Sequence, residues 1–393
     1  MGEAFIVDAI RTAGGRKGGM LAGWHPADLA AHVIDALVVR TGADPAAIDD
    51  VILGCVVQIG QQAMNVARNA VLASSLPESV PGTTIDRQCG SSQQALHFAA
   101  QAVMSGTMDL VIAGGVESMT RVPITASTAF PAEHGYGSYK SPAMEERYPG
   151  VAFSQFAGAE MLARDYGLSR EELDAYSFAS HRKAMDATTE GAFGAEIVQV
   201  PVASKGGSRA MHEIDEGIRF DASLEAMRAL ATLRTDGVVT AASSSQICDG
   251  ASACLVANER GLRALGREPL ARVRHLSVLG HDPVVMLEAP IPATERALRD
   301  AGLTVDDVDL FEVNEAFASV PLAWLRATGA DPAKLNVHGG AIALGHPLGA
   351  SGTKLLATLL HALERRDGRI GLQTMCEGGG LANVTIVERL PRA

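Results

Sequence analysis

The chain has 393 residues, of which 47% are hydrophobic and 20% are charged, and its formal net charge is -12. The length exceeds that of a typical single domain, so we expect two or three units with large buried cores. The composition excludes a disordered chain, and the acidic balance argues against general nucleic-acid binding, which needs a basic surface. An anionic ligand would require a local basic pocket.

Cysteine usage and the amino terminus indicate the compartment. The five cysteines include no Cys-x-x-Cys pair, which favours a reducing cytosol over a disulfide framework or a zinc ribbon. Residues 1–11 alternate like a short strand and lack the layout of a signal peptide. No run of 18 apolar residues is present, so we expect no membrane span and a cytoplasmic protein.

The predicted elements indicate an internal duplication. Residues 49–55 form an acidic turn that leads into a buried strand, and residues 307–313 repeat this pattern. Each is followed by a strand that ends in a glycine-rich turn and opens an apolar helix, and then by an apolar strand at 110–113 or 370–375. Strands that alternate with helices predict βαβ units, mostly parallel sheets and right-handed crossovers.

The middle of the chain, from about 119 to 240, has a different composition. Residues 123–150 are rich in Pro, Gly, Ser and Tyr with weak periodicity, whereas residues 158–190 are helical in pattern. Ser169 followed by Glu172 is typical of a helix start. An irregular insertion of this length usually has a function, such as covering a binding site.

Cys89 is the first candidate for chemistry. A β-rich stretch leads into a Gly/Ser turn at this residue, and an amphipathic helix follows. A thiol at a helix N-terminus is expected to have a lowered pKa, and the free N–H groups there could hold an oxyanion. The alternative is a buried small hydrophobe, and position alone leaves both interpretations open.

His346 is the second candidate. Residues 339–349 resemble a phosphate-binding loop, but His346-Pro347 stands where that loop requires Lys-Ser/Thr, so the nucleotide interpretation fails. A histidine held between glycines and a proline suits a general base or an oxyanion donor. A hydrogen-bonded turn histidine is the alternative.

Two further motifs stand at predicted strand ends. Cys376 follows an apolar strand and precedes residues 378–380, three glycines whose N–H groups could approach a ligand closely. Asn314 ends another buried strand, at the edge where open α/β sheets bind ligands. A helix N-cap would also explain Asn314, and a tight turn would explain the glycines.

Together these motifs resemble one family, the thiolases, from end to end of the chain. The matching motifs are Arg11-Thr12, Cys89-Gly90-Ser91, Asn314-Glu315-Ala316-Phe317, Gly345-His346-Pro347 and Cys376-Glu377-Gly378-Gly379-Gly380. The resemblance implies an α/β protein with the five-layer αβαβα thiolase fold, built from two duplicated βαβ-rich halves and an inserted loop domain. We expect residues 1–118 with 245–270 to form the N-terminal half and 271–393 the C-terminal half. Residues 119–244 would form a loop domain covering the active site.

The resemblance also implies an activity, namely a coenzyme-A-dependent acyltransferase. It would cleave a 3-ketoacyl-CoA reversibly to acetyl-CoA and a shortened acyl-CoA, by a ping-pong mechanism through an acyl group on Cys89. His346 would activate Cys89 and help form an oxyanion hole for the substrate thioester carbonyl, and Asn314 would hold a water that completes this hole. Cys376 would be the second acid/base, and the N–H groups of Cys89 and Gly378 would form the second oxyanion hole.

Ligands and partners follow from the same resemblance. Coenzyme A, a co-substrate, would lie against the insertion near Arg219, Ser245, Ala316 and Phe317. No metal and no tightly bound cofactor are implied. The family forms dimers and tetramers, so we expect at least a homodimer, with residues 83–86 or 65–68 near the interface.

Several residues depart from the family pattern. Ser92 stands where glycine is usual, Gln246 and Cys248 alter a Ser-Gly-x-Asn-Asp-Gly stretch, and residues 154–156 replace the His-Met pair of short-chain thiolases. These features resemble the actinobacterial thiolases that degrade steroid side chains or other bulky acyl-CoAs. Glu377 beside Cys376 is also unusual, since small or apolar residues are commoner there.

Three alternatives remain beside a degradative thiolase. A ketoacyl synthase of the same fold lacks the second catalytic cysteine, so Cys376 disfavours it. A biosynthetic acetoacetyl-CoA thiolase would have the same residues and a different acyl pocket. A non-catalytic acyl-CoA or sterol carrier would have no need of Cys89, His346, Asn314 and Cys376.

Overall fold

The computed structural model describes residues 2–203 and 209–391. The strands are β1 (Phe5–Thr12), β2 (Gly15–Arg16), β3 (Asp50–Gly54), β4 (Gly82–Ile85), β5 (Leu110–Ser118), β6 (Ile197–Val198), β7 (Val200–Ala203), β8 (Arg209–His212), β9 (Cys248–Ala257), β10 (Ala271–Gly280), β11 (Leu310–Val313), β12 (Ile370–Glu377) and β13 (Leu381–Arg389). The helices are α1 (Pro26–Thr41), α2 (Val66–Ala73), α3 (Ser91–Ser105), α4 (Ala126–Glu133), α5 (Pro142–Arg147), α6 (Gln155–Asp165), α7 (Arg170–Thr189), α8 (Leu224–Arg228), α9 (Glu259–Leu265), α10 (Pro290–Ala301), α11 (Ser319–Thr328), α12 (Ala341–Leu344) and α13 (Ser351–Arg365).

The large sheet has the strand order β11-β12-β13-β10-β1-β9-β5-β3-β4, and the β10–β1 pair joins its two halves. Outward from this pair, each half has two antiparallel pairings and then a parallel one. The two halves therefore repeat one topology, as the duplicated motifs predict. The expectation of mostly parallel sheets is wrong, because β9 and β13 run antiparallel to both of their neighbours.

The helices complete five layers. Helices α3 and α13 pack against each other and contact strands of both halves. Helices α1 and α2 cover the outer face of the N-terminal half, and α10 covers that of the C-terminal half, with α11 against it. The arrangement is the αβαβα architecture of the thiolase fold. In the described ranges, no helix is both long and apolar enough to span a membrane.

The two central helices approach each other closely at their N-termini. A Cβ on Gly352 would lie only 2.1 Å from the backbone nitrogen of Gln93, so only glycine fits there. The Ser92 hydroxyl accepts a hydrogen bond of 3.0 Å from the Thr353 backbone N–H. Ser92, unusual for the family, thus satisfies a first-turn N–H of α13. The turns that precede both helices are thereby brought side by side.

The middle segment forms helices α4 to α8 and the β7–β8 hairpin. Helix α7 begins with the predicted capping box, in which Ser169 and Glu172 exchange hydrogen bonds with each other's backbone. The weakly periodic stretch 123–150 contains two short helices, α4 and α5. We propose the three-part division given above as the domain organisation of the chain. Residue 1, residues 204–208 of the loop domain and residues 392–393 lie outside the described residues.

Candidate active site

A strained turn between β4 and α3 presents Cys89. The preceding residue, Gln88, has a φ of 50°, a left-handed conformation that is costly for a residue with a side chain. Its backbone N–H donates to Asp86 Oδ1 at 2.7 Å, and its carbonyl accepts from the Ser91 hydroxyl at 2.6 Å. The turn is therefore held from both sides at the N-terminus of α3.

The expectation of a lowered thiol pKa at Cys89 is wrong. Burial, followed by the nearby Glu377 carboxyl, raises the pKa of Cys89 to about 12, although its own peptide N–H acts in the opposite direction. Desolvation of a thiolate outweighs the favourable helix terminus here. Cys89 is consequently a neutral thiol at rest and needs a base to become a nucleophile.

His346 lies in the turn that precedes α13. Gly345 has a φ of 77°, and a Cβ there would lie 2.6 Å from Cys248 Sγ, so glycine is required. The His346 backbone N–H donates to the Gln246 carbonyl at 3.1 Å. Gln246 and Cys248, two departures from the family pattern, thus both contact this turn.

The hydrogen bonds of the His346 ring define its tautomer. Its Nδ1 lies 2.5 Å from Ser351 Oγ, and that hydroxyl donates to the Pro347 carbonyl, so the ring proton is on Nδ1. Nε2 is therefore an acceptor, and Asn314 Nδ2 lies 3.4 Å from it. Burial, and then the charge of Lys354, lowers the pKa of His346 to about 3. The imidazole is neutral and able to accept a proton.

Asn314 directly follows β11. The next helix, α11, begins at Ser319 with Ala318 as its N-cap, so the N-cap explanation of Asn314 is wrong. Asn314 is buried, and its Oδ1 makes no hydrogen bond with any residue in 2–203 or 209–391. A buried carbonyl oxygen without a partner is suited to a water or ligand donor.

Glu315 anchors Asn314 to the inserted segment. One carboxyl oxygen accepts from Tyr176 at 2.9 Å, and the other from Ser180 at 2.7 Å, both in α7. The backbone N–H of Ile342 donates to the same carboxyl at 3.1 Å. The carboxyl thus connects the end of β11, the insertion and the His346 loop.

Cys376 lies near the end of β12, before the glycine turn. The Cys376 thiol is buried, and burial, the Cys89 thiol and the Glu377 carboxyl raise its pKa well above the ordinary value. Cys89 is therefore close enough to Cys376 to influence the ionisation of the Cys376 thiol. An ideal Cβ on Gly378 would lie 3.0 Å from Gln88 Oε1, which places this glycine against the Cys89 turn.

Glu377 occupies the space behind Cys89. It is fully buried, and a Cβ on Gly90 would lie 1.9 Å from Glu377 Oε1. Neither carboxyl oxygen has a hydrogen bond within the described part of the chain, although the Asn383 N–H faces the carboxyl. Burial raises its pKa well above the ordinary value. The sequence marked Glu377 as unusual but gave no contact for it.

One of the predicted coenzyme A residues, Arg219, lines a cavity of about 370 Å³, a usual size for a ligand site. The other three predicted residues are not among its lining residues. They are linked to each other and to the lining residue Ser244: the Ser245 N–H donates to the Ala316 carbonyl at 2.9 Å, and Ser244 pairs with Phe317. The cavity is also lined by residues that the sequence did not predict for coenzyme A, among them His181, Ser223, Met227, Ser244, Gln246 and Ile342.

Phe156 packs against Phe317. Its ring centroid is 5.6 Å from that of Phe317, with the planes at 75°, and the side chain is 44% exposed. Phe156 therefore does not close a pocket from within a packed core. It offers an accessible aromatic surface beside Phe317.

The chain belongs to the thiolase family of acyltransferases. Residues 4–260 match the model of the thiolase N-terminal domain, and residues 267–389 match that of the thiolase C-terminal domain.

Named relatives extend over almost the whole chain. A steroid 3-ketoacyl-CoA thiolase, FadA6, of Mycobacterium tuberculosis is 53% identical over 99% of this chain and 95% of its own length. A 3-ketoacyl-CoA thiolase of Escherichia fergusonii is 44% identical over 99% of this chain and all of its own length. The crystal structure of the Bacillus anthracis acetyl-CoA acetyltransferase superimposes with a TM-score of 0.91 at 34% identity, covering 99% of both chains.

Proposed function

We propose that the protein cleaves 3-ketoacyl-CoA with coenzyme A, giving acetyl-CoA and an acyl-CoA shortened by two carbons. The observation that carries this proposal is the pairing of four motifs. His346 presents an unprotonated Nε2 beside Asn314, and Cys89 lies close enough to Cys376 to raise the pKa of the Cys376 thiol. The two relatives named as 3-ketoacyl-CoA thiolases support the same reaction.

The first half-reaction begins at a neutral thiol. His346 Nε2 takes the proton of Cys89 as its sulfur attacks the C3 carbonyl of the substrate. The C2–C3 bond then breaks, the acyl group stays on Cys89, and the acetyl-CoA enolate takes a proton at C2 from Cys376. Since the pKa values of both thiols are raised, each proton moves together with bond making or breaking.

The second half-reaction restores the enzyme. The Cys376 thiolate takes the proton of an incoming coenzyme A thiol, whose sulfur attacks the acyl carbonyl on Cys89. The Cys89 sulfur leaves and regains its proton from the His346 imidazolium. N–H groups of Cys89 and Gly378 in the two glycine-containing turns would stabilise the oxyanions. Coenzyme A would lie near Arg219, Ser245, Ala316 and Phe317.

A direct assay separates this enzyme from a carrier. The protein is mixed with acetoacetyl-CoA and coenzyme A, and the enolate absorbance is followed. Thiolysis predicts a continuous loss of absorbance that depends on coenzyme A. A carrier would bind the thioester without cleaving it, so the absorbance would stay constant once binding is complete.

We expect a preference for medium-length, branched or ring-bearing 3-ketoacyl-CoAs over acetoacetyl-CoA. Phe156 lies half-exposed beside Phe317, where short-chain thiolases have their His-Met pair. Each buried methylene contributes about 0.8 kcal/mol, so four of them raise kcat/KM by about two orders of magnitude if the binding is retained in the transition state. The measurement compares thiolysis of acetoacetyl-CoA with that of a 3-keto C8 or steroid-side-chain thioester.

Faster turnover of the C4 substrate at equal subsaturating concentration would overturn this preference. A Phe156→Ala variant locates its origin, because it should lower the C8-to-C4 ratio if the ring contacts the acyl chain. Phe130→Ala is the matched control, since this aromatic side chain is similarly exposed and stacks on His134.

We also propose a homodimer or a homotetramer. Strand β4 lies at the edge of the large sheet and, among the strands of residues 2–203 and 209–391, pairs with β3 alone; its residues 82–85 are mostly partly exposed. Such an edge offers unpaired N–H and C=O groups to a second chain. Sedimentation at micromolar concentration should give at least twice the mass of one chain. A species of 40.9 kDa would contradict the proposal. The cytoplasmic location stays a prediction.

A further inference from the structure

Four charged side chains form a buried ion cluster behind the His346 turn, namely Arg11, Glu196, Asp215 and Lys354. All are at most 4% exposed. Arg11 binds Asp215 through both carboxyl oxygens at 2.9 to 3.1 Å and Glu196 at 2.5 Å. Lys354 Nζ lies 3.8 Å from Asp215. The cluster contains two cations and two anions, which satisfies the rule that buried charges are paired.

Lys354 connects this cluster to the candidate active site. From the first turn of α13, its Nζ donates to the Leu344 carbonyl at 2.5 Å and to the Gly345 carbonyl at 3.0 Å. These are the two residues before His346. Asp215 belongs to the inserted segment and also accepts from the Gly14 N–H at 2.7 Å. One ammonium group therefore joins the insertion, α13 and the histidine turn.

We propose that Lys354 is a positioning residue for His346, which fixes the histidine turn through these two carbonyls. The role rests on the proposed function, in which His346 Nε2 accepts the Cys89 proton. Loss of the two hydrogen bonds frees the backbone at Leu344 and Gly345, directly before His346. A displacement of about 1 Å in a catalytic group costs on the order of 100-fold in rate.

The charges around the histidine determine the sign of the pH effect. Lys354 is the charged side chain that lowers the pKa of His346 in addition to burial. The groups that face Lys354 are Asp215, Cys248, Arg11 and Glu196. Burial raises the pKa of Cys248 to about 12, so it is neutral at working pH. Removing the lysine charge raises the pKa of His346, and the acid limb of kcat/KM moves to higher pH.

The test uses three variants and a control. Lys354→Met removes the charge and both hydrogen bonds to the turn. The double variant Lys354→Met/Asp215→Asn removes one charge of each sign, which leaves Arg11 paired with Glu196. Lys354→Arg keeps the charge. Lys334→Met is the control, because this lysine also donates to a backbone carbonyl, that of Val308, outside the cluster.

We expect kcat per active site, counted by acyl-enzyme titration, to fall about 100-fold in Lys354→Met and in the double variant. KM for coenzyme A should change less than about threefold, because uniform binding is untouched. The acid limb of the kcat/KM pH profile should move to higher pH in both variants. Lys354→Arg should recover most of the loss, and Lys334→Met should equal the wild type. An unmoved acid limb with a normal kcat per active site would overturn the proposal.

Amide hydrogen exchange provides a readout that does not depend on activity. Lys354→Met and the double variant should exchange faster at residues 345–349 than the wild type, and Lys354→Arg should not. Unchanged exchange there would refute the positioning role even if activity fell. If the wild-type protein lacks thiolysis altogether, the proposed function fails, and the exchange result still decides whether Lys354 holds the turn.

Discussion

Replacing Cys89 with alanine is expected to abolish thiolysis and acyl-enzyme formation together. Cys89 lies in the turn that precedes α3, and its sulfur is the one acceptor for the acyl group in the proposed mechanism. Loss of a nucleophile from a group of residues that act as a unit costs up to about 10⁶-fold in kcat. Turnover is measured by the absorbance of a 3-ketoacyl-CoA substrate, and the adduct by intact mass after treatment with an acyl-CoA.

Two other cysteine variants show whether this loss is specific. Cys254→Ala removes another buried free thiol, in the apolar core on β9, and should keep the adduct and most of the turnover. Cys376→Ala should still form the adduct from a simple acyl-CoA but fail to cleave a 3-ketoacyl-CoA. A Cys89→Ala protein that still gains the acyl mass would refute the assignment of the nucleophile.

Replacing His346 with alanine should lower kcat/KM by about 10² to 10⁴-fold, the usual contribution of a positioned general base. The thiol of Cys89, with its pKa raised to about 12, has almost no thiolate near neutral pH without this base. The pKa of His346 is lowered to about 3, so the imidazole is unprotonated above about pH 5. The wild type should therefore show no acid limb from His346 between about pH 5 and pH 8.

A second buried histidine is the matched control. The pKa of His97 is also lowered to about 3, by burial first and then by Arg87, but its Nε2 binds the Thr385 hydroxyl in the core. His97→Ala should reduce stability and leave kcat per active site within a fewfold of the wild type. If both histidine variants lose the same activity per active site, His346 has no special role.

The sequence predicted the fold because the signals for it are local and repeated. The two acidic turns, the two glycine-rich turns and the two apolar helices fall at matching places, and β3 and β11 occupy corresponding positions in the sheet. The direction of β9 and β13 could not be read in this way. A buried antiparallel strand and a buried parallel strand are both continuous apolar runs.

The site was predicted in part. Motifs indicated Cys89, His346, Asn314 and Cys376 as candidates, but the sequence gave the wrong direction for the pKa of Cys89. The helix terminus is visible in the sequence, whereas burial and the carboxyl of Glu377, from the end of β12, arise only on folding. Most residues that line the cavity beside Arg219 were missed for the same reason, because they come from distant segments.

The position of the acyl group tests the central claim most directly. Wild-type protein is incubated with an acyl-CoA that has no 3-keto group, quenched in acid and digested, and the modified peptide is sequenced by mass spectrometry. The proposed mechanism predicts one acyl group on Cys89, which coenzyme A removes when it is added before the quench. An acyl group on Cys376 or another residue, or no adduct at saturating acyl-CoA, would contradict it.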